Sequence, residues 1–221
     1  MKLKSVFLIV FLVLLADQAL KLYIKTHFGI GESRSMFGVG EWAQLYFIEN
    51  RGMAFGLELG GEWGKIVLTL FRLIACTWGF FFINGMIKRK LHNGLIFCAA
   101  LILAGALGNL IDSMFYGMIF TDGYHTPAKL VPWGQGYGKF LHGRVVDMLY
   151  FPIMRGTWPT WVPGWGGQSF EFFRPIFNIA DAAISTGVIV IMVFQKSLLA
   201  HREEEKKEIV EVDNTASVSA E

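Results

Sequence analysis

Four runs of apolar residues set the plan of this chain. They cover approximately Ser5 to Tyr23, Ile66 to Ile87, Leu95 to Phe115 and Pro175 to Phe194. Each is close to the roughly 20 residues that a helix needs to cross a bilayer. Between the first two lies Gln44-Leu45-Tyr46-Phe47-Ile48, whose composition predicts a strand, with Phe55-Gly56-Leu57-Glu58-Leu59 as a candidate partner. The loop after the third run is rich in Gly, Pro and aromatic residues and predicts no particular element. The pattern is that of an all-α membrane protein. Residues 1–202 form one four-transmembrane-helix bundle with long loops at 26–65 and 116–174. Residues 203–221 are charged and then polar, which predicts a short helix followed by disorder.

Composition agrees. Of 221 residues, 53% are hydrophobic and 17% charged, and the mean hydropathy is +0.45. So few charges could not cover the surface of a soluble domain. A net charge of +2 gives no reason to expect a nucleic-acid partner. Cys76 and Cys98 fall inside apolar runs and read as small core residues. Lys2 and Lys4 ahead of the first run resemble the start of a signal peptide. The run is long for one, and no clean cleavage site follows, so a retained helix is expected.

Basic residues near the helix ends set the orientation. Lys2 and Lys4, then Lys88, Arg89, Lys90 and His92, then Lys196, His201 and Arg202 belong on the cytoplasmic side. Both termini are then inside and both long loops outside. Six of the seven tryptophans lie in those loops, which predicts that they rest on the membrane surface.

Against this background the acids stand out. Asp181 lies one turn inside the fourth run, sharing a helical face with Asn178 and Ser185. An acid within a spanning segment is costly and marks a functional-site candidate. The same stripe could also serve as hydrogen-bonding glue between helices. The third run repeats the theme with Gly105, Gly108, Asn109 and Asp112, and for Asp112 alone the structural reading is preferred. The first run offers Asp17, Lys21 and Lys25, spaced as an ion-pair ladder, so Asp17 reads as structural or substrate-orienting. Arg72 reads as snorkelling to the interface. Asp147 lies in an apolar setting upstream of the fourth run. Asn50 and Gly52, in Asn50-Arg51-Gly52, form a turn that could present polar groups to an added peptide strand.

No nucleophile elbow, zinc motif or phosphate-binding loop competes with these acids, so no metal and no cofactor are expected. Two adjacent carboxyls share one proton and titrate as a unit. Such a pair can take a proton from water while giving one to a scissile carbonyl, as in aspartic proteases. Asp147 and Asp181 could meet at the outer edge of the bilayer. A proton-coupled transporter and a non-enzymatic scaffold remain as rival readings.

Five blocks, in order, carry a family resemblance: Asp17-Gln18; Asn50-Arg51-Gly52-Met53-Ala54-Phe55-Gly56; Gly105-Ala106-Leu107-Gly108-Asn109-Leu110-Ile111-Asp112; Val145-Val146-Asp147; and Phe177-Asn178-Ile179-Ala180-Asp181. Over about residues 1 to 200 the sequence resembles lipoprotein signal peptidase, the bacterial signal peptidase II of aspartic peptidase family A8. The resemblance implies a four-helix bundle with a small β-cradle in the outer loops. It implies Asp147 and Asp181 as catalytic; of the two, Asp147 is read here as the base, although a symmetric pair can exchange roles. Asp17, Asn50, Gly52, Asn109, Asp112, Asn178 and Ala180 fall in supporting places. The implied substrate is a prolipoprotein, cut on the amino side of its diacylglyceryl-modified cysteine. The implied setting is the bacterial inner membrane with the site facing the periplasm, membrane lipid as a partner, and a monomeric enzyme.

Two departures stand out. The third block usually ends Asp-Arg, whereas Ser113 follows Asp112 here, so Arg144 or Arg51 is expected to supply the missing cation. The stretches on either side of Asp147 are also long for the family, and their tryptophans suit an interfacial lid or collar.

Overall fold

The computed structural model describes residues 1–36, 38, 42–50, 61–124, 126–172 and 174–218. Among the described residues four helices are long and apolar enough to cross a membrane. Helix α1 is Leu3–His27, α2 is Gly61–Lys88 and α3 is Asn93–Ile111. A π-helical turn, Asp112–Tyr116, extends α3 into a last short turn, α4, at Gly117–Ile119. The fourth long helix, α5, is Ile179–Val218, with non-helical backbone at Phe194.

The helices begin and end for local reasons. Lys90 adopts a positive φ of 51° in the turn between α2 and α3, and the His92 ring accepts the Gly94 N–H to cap α3. Helix α5 starts four residues later than the hydrophobic run suggests. Ile176 and Phe177 are spent as strand β6, and Asn178 caps the helix behind them.

Helix α3 is the centre of the bundle and packs against α1, α2 and α5. Glycine makes this possible. A Cβ at Gly105 would sit 2.2 Å from the Ala180 carbonyl oxygen, and one at Gly187 would sit 2.7 Å from that of Cys98. Small residues permit such close backbone approach in lipid, where the hydrophobic effect does not drive helices together. Val6, Cys76, Ile83, Met86, Ile96, Ala100 and Leu103 fill the space between α1, α2 and α3. Phe7, Phe11, Phe71, Ile74, Phe81 and Met192 point outward, as lipid-facing side chains do.

The long loops hold the sheet. Strands β1 (Ser33–Ser35), β2 (Gln44–Asn50), β3 (Val145–Tyr150) and β6 (Ile176–Phe177) form one antiparallel sheet in the order β1-β2-β3-β6. The strand expected at Gln44 to Ile48 is therefore present. Its proposed partner, Phe55 to Leu59, lies outside the described residues, and the partners seen are β1 and β3. A second core joins this sheet to α1 and α4 through Ile24, Phe28, Phe47, Tyr116, Phe120, Val146 and Met148. Strands β4 (Met154–Thr157) and β5 (Ser169–Phe172) form a separate hairpin whose end carries Trp158, Trp161 and Trp165.

Candidate active site

Two elements deliver the two acids. Asp147 lies in the middle of β3, and side chains alternate across a strand. Its neighbours Val146 and Met148 enter the core beneath the sheet, so Asp147 turns the opposite way and is nevertheless buried. Asp181 lies in the first turn of α5. The Asn178 side-chain oxygen accepts the Asp181 N–H at 2.9 Å, and Asp181 Oδ2 faces the Asn178 N–H at 3.4 Å. This is the reciprocal geometry of a capping box. An acid in the first turn is favoured by the helix dipole, which offsets part of its cost in an apolar setting.

Asn178 ties the acids together. Its Nδ2 donates to Asp147 Oδ1 at 2.7 Å and also lies 3.1 Å from Asn109 Oδ1 and 3.2 Å from the Val146 carbonyl. Asn109 Nδ2 in turn donates to Asp181 Oδ1 at 2.8 Å. Two asparagines, one within α3 and one capping α5, thus hold the two carboxyls. Burial, and then the neighbouring charge of Asp181, push the Asp147 carboxyl from 3.8 up to about 7. The Asn178 hydrogen bond and the Lys21 charge pull the other way without winning.

Lys21 anchors the layer behind the pair. The fully buried ammonium reaches Asp17 Oδ2 at 2.9 Å, Asp112 Oδ2 at 2.8 Å and Asn109 Oδ1 at 2.9 Å. An ammonium has three N–H donors, and each has an acceptor here. Asp17 Oδ1 accepts the Ala180 N–H at 2.9 Å, one of the orphan donors at the start of α5. Ala180 therefore contributes its backbone, and its small side chain lets α3 approach. Asp112 also accepts from Gln18 Nε2 at 2.9 Å and from the Val146 N–H at 3.3 Å, linking α1, α3 and β3.

Most of the expected residues converge: Asp17, Asn109, Asp112, Asp147, Asn178, Ala180 and Asp181 form one connected network. Asn50 ends β2 opposite Val145. Gly52 and Arg51 lie outside the described residues. Arg144 does not supply a cation to the acids. It pairs with Glu49 at 3.0 Å and reaches Asp122 at 3.5 Å, with its guanidinium packed on Tyr137 and Tyr124. The expected ladder on α1 also divides. Lys21 joins Asp17, but Lys25 turns to Glu49 between the rings of Phe120 and Tyr137. Arg72 is not simply snorkelling, since its Nη1 donates to Ser113 Oγ at 3.2 Å. Glu49 and the hub role of Lys21 were not foreseen, although the i, i+4 spacing of Asp17 and Lys21 was visible. Among the described residues no group of three His, Cys, Asp or Glu side chains is placed to hold a metal ion.

The comparisons with known proteins point the same way. Residues 9–196 match the family model described as signal peptidase (SPase) II. A lipoprotein signal peptidase of Porphyromonas gingivalis is 44% identical over 191 residues, covering 86% of this chain and 82% of that protein. One from Amoebophilus asiaticus is 35% identical over 208 residues, covering 94% and 84%. Two solved structures of a bacterial membrane enzyme, determined in meso at 2.3 Å and 1.9 Å, superpose with TM-scores of 0.54. Their identities are 25% and 27%, over 88% and 86% of this chain and 90% and 92% of theirs. With its four apolar helices, its small sheet and these matches, the chain belongs to the signal peptidase II family, membrane peptidases of the aspartic class that cleave signal peptides from prolipoproteins.

Proposed function

We propose that Asp147 and Asp181 are the catalytic pair, and that the enzyme cuts prolipoproteins on the amino side of a diacylglyceryl-modified cysteine. The single observation that carries this reading is the Asn178 bridge, which holds Asp147 by its Nδ2 and the start of Asp181's helix by its Oδ1. The burial of Asp147 supports a division of labour opposite to the one expected from the sequence. A carboxyl pushed up to about 7 retains a proton near neutral pH and can give it to the scissile carbonyl oxygen. Asp181 then takes the proton from the attacking water. The water oxygen bonds to the carbonyl carbon, and the resulting intermediate breaks at the C–N bond. The proton taken up by Asp181 goes to the leaving amine, and Asp147 recovers its own from the hydroxyl.

The basic residues at the helix ends support an inner-membrane setting with both termini cytoplasmic and the acids towards the periplasm. A lipidated substrate would then arrive sideways through the bilayer, with water entering from the loop side. Membrane lipid is the surrounding partner, and a monomer suffices because the whole network comes from one chain.

The test uses purified enzyme, one diacylglyceryl-modified precursor and its unlipidated twin. Wild type should cut the lipidated precursor in strong preference. Asp147→Asn and Asp181→Asn should each lose at least about a hundredfold in rate. Near wild-type cleavage by either variant would remove the pair from the mechanism, and equal cleavage of both precursors would remove the lipid from recognition.

A further inference from the structure

Arg72 is a charge inside a spanning helix, where ionisable groups are costly and usually face the bundle interior. It is partly buried and reaches α3 through Ser113, the residue directly after Asp112. Ser113 is fully buried, and its hydroxyl donates to the Asn109 carbonyl at 2.9 Å while accepting from Arg72 Nη1 at 3.2 Å. Asn109, one turn earlier on the same face of α3, donates its side-chain amide to Asp181. A continuous line of contacts therefore runs from the guanidinium through Ser113 and Asn109 to Asp181. Lys21 pairs with Asp17 and Asp112, and its charge also acts on Asp147.

We infer that Arg72 is a positioning residue for the catalytic pair: delivered from α2 and seated on Ser113, it orients the Asn109–Asp181 contact and balances the charge of the acids. It is hydrogen-bonded to Ser113 at the end of α3, and the charges that act on it are those of Asp181 from α5, Asp112 from the end of α3 and Asp147 from β3. Lys21 and Asp17 on α1 stand behind Asp112, and Cys76 lies one turn further along α2. A cation in this place offsets part of the repulsion among the clustered acids. The inference rests on the assignment of Asp147 and Asp181 as catalytic.

The test is the pH profile of kcat and KM for full-length Arg72→Gln, Arg72→Lys and Ser113→Ala with the lipidated precursor. Arg72→Gln should lower kcat by at least about tenfold, with KM little changed. Both limbs of its profile should move to higher pH by roughly half a unit or more. Arg72→Lys should recover much of the rate and the original profile, and Ser113→Ala should show a smaller loss in the same direction. A wild-type kcat and profile in Arg72→Gln would overturn the inference. So would a loss that leaves the profile unmoved and that lysine does not repair, which is the mark of a merely structural residue. Should Arg72→Gln not be recovered folded, Ser113→Ala decides by the same criteria. An error in the pair itself shows separately, as activity retained by Asp181→Asn.

Discussion

Replacing Asp147 with Asn should make the protein inactive and, at neutral to alkaline pH, more stable. The carboxyl is nearly isosteric with the amide, and Asn178 Nδ2 can donate to the oxygen of either. What changes is the ionisation. The Asp147 carboxyl moves from 3.8 to about 7, with burial the main cause and the Asp181 charge the second. Three units at about 1.4 kcal/mol each give a cost of up to about 4 kcal/mol for the ionised form in the folded state. The folded-state value lies above the unfolded one, so the folded protein keeps a proton that the unfolded chain releases. This contribution to stability is fully present below about pH 4 and is lost as pH rises towards 7. Asparagine does not titrate and escapes the loss. Thermal unfolding in detergent, followed by tryptophan fluorescence, should therefore show a much smaller difference between the variant and wild type at pH 4.5 than at pH 8. At pH 8 the variant should unfold several degrees higher, at about 2–4 °C per kcal/mol for a chain of this size. A variant less stable than wild type at pH 8, or a difference that does not change with pH, would refute the argument that Asp147 is held against its preference for water.

Three further outcomes follow from the packing and the buried charges. Gly105→Ala places a methyl group 2.2 Å from the Ala180 carbonyl oxygen, so α3 and α5 must separate; unfolding should occur earlier by about 1–3 kcal/mol and cleavage should fall. Gly85→Ala, with open space around its Cβ, should be neutral or gain up to about 1 kcal/mol. Lys21→Met leaves Asp17 and Asp112 buried without their cation and should cost about 3–5 kcal/mol in thermal unfolding at pH 7. A Lys21→Met protein as stable as wild type would dismiss the hub.

The spans and most of the candidate site were legible because both depend on local spacing. Twenty apolar residues announce a helix, and Asn178 and Asp181 at i, i+3 announce a shared turn. The same spacing also misled, because it serves a capping box as well as a helix face. The pairing of Ile176 and Phe177 with β3 ends the extended chain at Asn178, and no pattern within the run reveals that. Long-range partners were illegible for a similar reason. Lys25 and Arg144 converge on Glu49 because β2 lies between β1 and β3 above the end of α1, a placement set by the sheet. Arg72 finds Ser113 only because α2 packs on α3. The β4–β5 hairpin was hidden by short strands among glycines and prolines, where period-two alternation has too few residues to show.

The joint at Asn178 has a mechanical consequence. Strand β6 ends and α5 begins within two residues, so one acid is carried by the sheet and the other by a spanning helix. Helices in a bilayer adjust their tilt to match its hydrocarbon thickness. A tilt of α5 would shift Asp181 relative to Asp147, which β3 keeps with the sheet, against the hydrogen bonds of Asn178 and Asn109, the Ala180–Asp17 contact and the packing of α5 on α3. On the proposed pairing of these acids, the thickness of the surrounding lipid would bear on the gap between them, and the bilayer would be a mechanical part of the site as well as its solvent.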